Sequence, residues 1–134
     1  MAHILLVDDD EDLIEINRTI LAQRGHSVTV AYSAAEARED TQTIAPDVAV
    51  LDVMMEDRTA GIDLARHLHK KFPELHMIML AGIRWEIGPG LKFKPDEPWL
   101  TMTRFLEKPV NPRVLADEVD KLLATMRMVT PLTQ

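Results

Sequence analysis

The apolar run at residues 48–51, which ends at Asp52, constrains the fold more than any other stretch of this sequence. Pro46 and Asp47 precede the run, and charged residues follow at 56–58. A short apolar run between turn signals is typical of a strand buried on both faces, as in a parallel sheet. Ligand chemistry in open parallel sheets gathers at the carboxyl ends of the strands. Asp52 is therefore a candidate functional residue, the alternative being an acid that only accepts hydrogen bonds from the following loop.

Composition narrows the class of protein. A chain of 134 residues with 46% apolar and 28% charged residues is predicted to form one globular domain. The absence of cysteine excludes disulfides, thiolate nucleophiles and cysteine-ligated zinc. A net charge of −7 without a basic stripe argues against direct nucleic-acid binding. The N-terminus is not a signal peptide and no apolar run is long enough to span a membrane, so we expect a soluble cytoplasmic protein.

Strand and helix patterns alternate along the chain. Strands are predicted at residues 4–7, 27–32, around 48–52, 76–81 and 104–107. The first helix groups Leu13, Ile16 and Ile20 on one apolar face and ends at Gly25. The second begins with the capping-box pair Ser33 and Glu36. This alternation predicts a doubly wound α/β sheet.

Two further helices have clear start signals. Gly61 leads into a helix that ends at Pro73, and Asn111 with Pro112 begins the last helix. Their predicted buried stripes are Ile62, Ala65, Leu68 and Phe72 in the former, and Leu115, Val119, Leu122 and Met126 in the latter. Residues 129–134 are expected to form a frayed tail after a domain at 1–128.

The interval between Ala81 and Lys108 departs from the alternation. It holds three prolines, three glycines and both tryptophans, Trp85 and Trp99. Proline and glycine oppose a long helix. The helix expected between the fourth and fifth strands is therefore predicted to be shortened, or replaced by a loop whose role is structural or functional.

Charged side chains close three of the strands. Asp8, Asp9 and Asp10 follow the first strand, Asp52 the third and Lys108 the fifth. Adjacent carboxylates repel unless a cation lies between them, and Mg²⁺ typically takes one or two carboxylates and bridges to a phosphate. Acids at a helix start also interact favourably with its dipole, which is the alternative role for this run. Together the groups favour a phosphoryl-transfer site.

Three stretches in order resemble the receiver domains of two-component response regulators, over nearly the whole chain. They are residues 4–10 (ILLVDDD), 50–55 (VLDVMM) and 105–110 (FLEKPV). The resemblance implies a flavodoxin-like sheet in the order 2-1-3-4-5 with helices on both faces. It further implies a phosphoryl acceptor that promotes its own phosphorylation and dephosphorylation rather than an enzyme.

The same resemblance assigns residues to roles. Asp52 would accept a phosphoryl group from a sensor histidine kinase or a phosphotransfer protein, and Lys108 would contact the phosphoryl oxygens. Mg²⁺ would be bound by Asp9, Asp52 and the main-chain carbonyl of Met54, with Asp8 acting through water. The resulting acyl phosphate would bias a two-state loop rearrangement and so change partner binding; homodimerisation stays open.

Several positions depart from the family pattern. Ala81 stands where the family has a switch Ser or Thr, and Phe105 stands at the partner aromatic without a phenolic oxygen. Glu56 replaces the usual proline, and the segment from Asp52 to Gly61 is one residue longer. Arg84 is a candidate to approach the phosphoryl group from the altered segment, although a surface arginine is usually only solvated.

Three functions are consistent with the sequence. The first is a phospho-accepting switch without an attached effector domain, because the chain ends soon after the last helix. The second, suggested by Ala81, is a pseudo-receiver that binds partners without phosphorylation. The third is an Mg²⁺-dependent phosphohydrolase with an aspartyl-phosphate intermediate, although Met54 stands where a general acid would be needed.

Overall fold

Five strands and four helices alternate in the structure, a computed structural model that describes residues 2–53, 55, 59–82 and 102–129, with side chains through 126. The strands are β1 (His3–Val7), β2 (Ser27–Ala31), β3 (Val48–Asp52), β4 (His76–Ala81) and β5 (Thr103–Glu107). The helices are α1 (Glu11–Gln23), α2 (Ala34–Asp40), α3 (Ala60–Lys71) and α4 (Pro112–Val129). Each element coincides with a predicted one to within a few residues.

All five strands are parallel and follow the order β2-β1-β3-β4-β5. This arrangement confirms the expected flavodoxin-like sheet. The register places Val7 beside Leu51, Asp52 beside Leu80, and Ala81 beside Glu107. The residues that follow β1, β3 and β5 therefore meet at one edge of the sheet.

Alternating residues of each strand enter two separate cores. Leu5, Val7 and Leu51 belong to the core that contains α2 and α3 residues, and Ile4 and Leu6 to the core beside α1 and α4. Every residue of β3 is buried, as expected for a central strand covered on both faces. Burial on both sides explains why residues 48–51 are continuously apolar.

Local signals in the sequence determine where the helices begin. The Ser33 hydroxyl accepts a hydrogen bond from the Glu36 amide at 3.1 Å, and the Asn111 side-chain oxygen accepts one from the Arg113 amide at 2.8 Å. Gly25, just beyond α1, has a φ of +89°, a conformation that other residues rarely adopt. The predicted caps and helix end are thus confirmed.

The apolar face predicted for α1 was wrong by one residue. Leu13 and Ile16 are 37% and 48% exposed and Ile20 is partly buried against the core, whereas Ile14, Asn17 and Leu21 are buried. Both stripes have the same i, i+3, i+7 spacing, so periodicity alone cannot separate them. Packing against the sheet fixes the rotation of the helix, and it directs the stripe that contains Asn17 toward the core. In the other helices the predicted stripes are buried, except that Phe72 and Met126 are only partly so.

Truncation of Ile14 and of Ile16 in α1 is expected to change stability by very different amounts. Ile14→Ala removes a side chain that is 1% exposed and should lower the free energy of unfolding by about 2–4 kcal/mol. Ile16→Ala, on the exposed stripe of the same helix, should change it by less than about 0.5 kcal/mol. Urea denaturation of both variants measures the difference. A larger loss for Ile16→Ala would mean that α1 is rotated as the sequence pattern suggested.

Several predictions fall outside the described residues. These are the shortened helix or loop between β4 and β5 with Arg84, Trp85 and Trp99, the Met54 carbonyl, and residues 130–134 of the frayed tail. Val129, the first residue of that predicted tail, is instead the last residue of α4. Within the described part of the chain, none of the helices has the length and apolar character needed to cross a membrane.

Candidate functional site

Three carboxylates converge at the carboxyl edge of the sheet. One oxygen each from Asp8, Asp9 and Asp52 lies within 4.8 Å of the other two. Asp8 and Asp52 are 2% and 4% exposed, whereas Asp9 is exposed. The cluster therefore has a buried base and one side open to solvent.

The acidic residues that follow β1 have two different roles. The Asp8 amide donates to the carbonyl of Ala31, which continues the pairing of β1 with β2 and fixes Asp8 at the sheet edge. One Asp8 carboxylate oxygen accepts the Asp10 amide at 3.0 Å. The Asp10 carboxylate in turn accepts the amides of Asp12 and Leu13 and caps α1. Asp10 therefore caps α1, whereas Asp8 and Asp9 belong to the carboxylate cluster.

Lys108 forms an ion pair with Asp52 across the sheet edge. Its Nζ atom lies 2.9 Å from Asp52 Oδ1, and the lysine side chain is 31% exposed. The Lys108 amide donates to the carbonyl of Ala81 at 2.9 Å, which extends the pairing of β4 with β5 by one residue. The peptide bond from Lys108 to Pro109 is cis. The main-chain bond to Ala81 therefore holds the backbone of Lys108 at the same sheet edge as Asp52.

Burial makes Asp8 an unusually weak acid. The pKa of its carboxyl is raised to about 6, mainly because burial removes solvation and to a smaller extent because of the neighbouring Asp52, while the Asp10 amide and Lys108 lower it only in part. The second oxygen of Asp8 is buried and has no hydrogen-bond partner among the described residues. A carboxylate with an unpaired buried oxygen is a group that a cation would stabilise.

The raised pKa predicts how stability depends on pH. Folded Asp8 keeps its proton up to about pH 6, whereas unfolded Asp8 keeps it only up to about pH 4. The contribution of Asp8 to the free energy of unfolding is therefore fully present below pH 4 and is lost as the pH rises through 6. Without divalent cations, the Asp8→Asn variant should therefore be more stable than the wild type at pH 7.5, with a free energy of unfolding up to about 3 kcal/mol higher. At pH 4 the difference should be much smaller.

Urea denaturation at several pH values in the presence of a chelator measures this difference. Asp12→Asn is the matched control, because Asp12 is exposed in the same acidic segment. An Asp8→Asn advantage that did not change between pH 4 and 7.5 would contradict the raised pKa.

Ala81 and Phe105, two of the positions that depart from the family pattern, supply no side-chain hydroxyl. Ala81 ends β4 and is 1% exposed, and its methyl group belongs to the core beside α2 and α3. Phe105 is partly buried and packs against the same core. The main chain of Ala81 still contributes to the site through its bond to Lys108.

The donor set fits a hard divalent cation. Carboxylate oxygens are the ligands that Mg²⁺ prefers, and the exposed position of Asp9 leaves room for the waters that this ion retains. Asp8, Asp9 and Asp52 are the described residues that could hold it. The predicted Met54 ligand lies outside the described residues, so that assignment stays a prediction.

Two neighbouring residues gained significance only from the structure. A Cβ atom on Gly61 would lie 2.2 Å from the carbonyl oxygen of Asp52 and 2.4 Å from that of Val53, so only glycine fits there. Asn17 is buried beside Lys108 and lines a cavity with it. The sequence does contain a signal for Asn17, because it is a polar residue three positions after Ile14 on the stripe that also includes Leu21.

Comparisons with known proteins agree with this geometry. The sequence profile of the response regulator receiver domain matches residues 4–120. The response regulator SaeR of Staphylococcus aureus is 28% identical over 129 residues, covering 95% of this chain and 53% of SaeR. The chain thus spans about half the length of the curated relatives it matches.

Solved structures extend the similarity to three dimensions. A CheY-like receiver domain protein from Methanospirillum hungatei has a TM-score of 0.75 at 25% identity, covering 96% of this chain and 98% of that one. The receiver domain of NtrX from Brucella abortus has a TM-score of 0.73 at 27% identity, with coverage of 91% and 98%.

Proposed function

The chain belongs to the response regulator receiver domain family, and from this premise we propose that Asp52 accepts a phosphoryl group in two-component signalling. The donor would be a sensor histidine kinase or a phosphotransfer protein. The observation that carries the proposal is the buried carboxylate of Asp52, which lies 2.9 Å from the Lys108 ammonium and beside two further acids. This arrangement offers a nucleophile, a positively charged side chain and a set of carboxylates that could bind a cation, all at one edge of the sheet.

Asp52 would act as the nucleophile. One of its carboxylate oxygens attacks the phosphorus atom, a P–O bond forms, and the bond from phosphorus to the donor's leaving group breaks. The leaving group takes the electron pair and is protonated from solvent. Because Asp52 is held at the end of β3 beside Lys108, positioning for in-line attack is its main contribution.

Lys108 would stabilise the charge that moves onto the phosphoryl oxygens. Its ammonium group is already next to Asp52, so little rearrangement is needed as the new bond forms. When bound by Asp8, Asp9 and Asp52, Mg²⁺ would supply positive charge that offsets repulsion between these carboxylates and the incoming phosphoryl group. The product is an acyl phosphate on Asp52.

The structural response to phosphorylation of Asp52 would differ from the one common in the family. A phosphorylated Asp52 would meet Ala81 rather than a hydroxyl at the end of β4, so no side chain there could donate a hydrogen bond to the new oxygens. Phosphorylation would instead change binding of a downstream protein through the added charge and the main-chain contacts around Lys108.

Intact-mass spectrometry with a small acyl-phosphate donor tests the proposal. With Mg²⁺ the wild type should gain one phosphoryl adduct, and excess chelator should prevent it. A well-characterised receiver domain labelled in parallel is the positive control. Absence of the adduct when that control is labelled would favour a pseudo-receiver, and sustained hydrolysis of a phosphomonoester would instead indicate a phosphohydrolase.

A further inference from the structure

The free carboxylate of Asp52 is well stabilised by its surroundings. It pairs with the Lys108 ammonium group at 2.9 Å, and the Asp52 side chain is only 5% exposed. A hydrogen bond between two charged groups is stronger than one between neutral groups, and more so where water is excluded. The unphosphorylated form of Asp52 is therefore a favourable state of this site.

A phosphoryl group on Asp52 would be stabilised less well by the residues at the ends of the neighbouring strands. On the β1 side lie the acids Asp8 and Asp9. On the β4 side Asp52 is paired with Leu80, and the methyl group of Ala81, the next residue, belongs to the core beside α2 and α3. Neither aliphatic side chain can donate a hydrogen bond to the added oxygens.

This imbalance affects how readily the phosphoryl group leaves. A missing hydrogen-bond donor raises the free energy of the phosphorylated state. Departure of the group restores the ion pair between Asp52 and Lys108, which stabilises the other state. Both effects favour transfer of the phosphoryl group from Asp52 to another molecule.

The charges around the site restrict the chemistry of the acceptor. An anionic nucleophile such as a carboxylate would be repelled by Asp8 and Asp9, whereas a neutral one would not. The histidine imidazole is largely neutral at pH 7 and is a far better nucleophile than water. The N–P bond that it forms is, like an acyl phosphate, a bond of high transfer potential, so the exchange is reversible.

We propose that the acyl phosphate on Asp52 is consumed by transfer to a histidine of a second protein, so that this chain is an intermediate carrier of the phosphoryl group. An unprotonated imidazole nitrogen attacks phosphorus, an N–P bond forms, and the bond from phosphorus to the Asp52 oxygen breaks. The oxygen keeps the electron pair, Asp52 is again a carboxylate beside Lys108, and the imidazole releases its N–H proton to solvent. The inference rests on the proposed function of Asp52, and it identifies the downstream protein as the acceptor.

Imidazole itself is the probe for this step. The wild type is labelled with a small acyl-phosphate donor and Mg²⁺, separated from the donor, and mixed with excess imidazole. Phosphorus NMR should show N-phosphoimidazole as the main product and inorganic phosphate as a minor one. Intact-mass spectrometry should show that the adduct disappears faster with imidazole than without it.

Ala81→Ser tests the structural reason for the transfer. A serine hydroxyl at the end of β4 can donate a hydrogen bond to the phosphoryl oxygens, which should lower the equilibrium constant for transfer to imidazole about tenfold. The constant is measured from both directions, with labelled protein plus imidazole and with unlabelled protein plus N-phosphoimidazole. Ala65→Ser is the matched control, because Ala65 is buried in the same core but on α3, and it should leave the constant unchanged.

Labelled wild type that loses its phosphoryl group only to water, at a rate that imidazole does not change, would overturn this inference but not the proposed function. Equal equilibrium constants for the wild type and Ala81→Ser would also overturn it. The wild-type measurement needs no substitution, so it decides the question even if Ala81→Ser fails to fold. Absence of any adduct, when a well-characterised receiver domain is labelled in parallel, would instead refute the proposed function and this inference with it.

Discussion

Asp52→Asn is expected to reduce phosphoryl labelling by several orders of magnitude, to the background of the assay. Asparagine keeps the shape of the side chain but lacks the anionic oxygen that would attack phosphorus, and removal of a nucleophile has effects of this size. The buried position of Asp52 next to Lys108 makes the effect specific, since Asp9 is exposed and Asp8 has a raised pKa. Intact-mass spectrometry after incubation with an acyl-phosphate donor and Mg²⁺ measures the adduct.

Asp47→Asn is the matched control for this experiment. Asp47 precedes the opposite end of the same strand, where its carboxylate accepts the His3 amide at 2.8 Å. Asparagine can still accept that hydrogen bond, so labelling should stay within a factor of about two of the wild type. An adduct of equal yield on Asp52→Asn would show that another group is the acceptor, and peptide mapping would then identify it.

Gly61→Ala is expected to cause the largest loss of stability among the substitutions near the site. Alanine ordinarily stabilises a helix by about 1 kcal/mol relative to glycine. Here the added methyl group would lie 2.2 Å from the Asp52 carbonyl oxygen and 2.7 Å from the Val53 carbonyl carbon. Main-chain atoms cannot rotate away as a side chain can, so either α3 or the end of β3 must move.

We expect this overlap to outweigh the helix preference and to lower the free energy of unfolding by about 2–3 kcal/mol. Because the displaced atoms belong to Asp52 and Val53, phosphoryl labelling should also slow. Urea denaturation and the mass assay measure the two effects on one sample.

Gly82→Ala is the control for Gly61→Ala. It shows whether the loss of stability comes from the close contact at Gly61 or from replacing any glycine by alanine. Gly82 follows β4 at the same sheet edge, and a Cβ atom there would have no described neighbour within 4 Å. We expect a change of less than about 0.5 kcal/mol. A Gly61→Ala variant as stable as Gly82→Ala would contradict the close approach of α3 to the strand that carries Asp52.

Repulsion between carboxylates in the candidate site lowers the stability of the fold. The two buried acids, Asp8 and Asp52, lie close together, and one Asp8 oxygen is unpaired among the described residues. Lys108 compensates Asp52 directly but Asp8 only partly, as the raised pKa of Asp8 indicates. Repulsion of this kind favours cation binding, because a bound cation removes the cost that the protein alone cannot remove.

Sequence alone determined the architecture, because the signals for it are local. Continuous apolar runs marked strands buried on two faces, as in β3, and side-chain caps marked the starts of helices at Ser33 and Asn111. The charged residues at the ends of β1, β3 and β5 could be assigned to one edge because parallel strands end on the same side. Order within the sheet followed from the family resemblance.

Only the tertiary structure decided properties that depend on distances between segments far apart in the sequence. The rotation of α1 selected the Ile14–Asn17–Leu21 stripe over the more apolar one, because packing against the sheet rather than periodicity orients a helix. Gly61 is required by the backbone of Asp52, nine positions earlier. Asp8 is a weak acid because strands that are distant in sequence bury it beside a second carboxylate. Each of these properties depends on how segments distant in sequence pack together, so local sequence patterns could not select them.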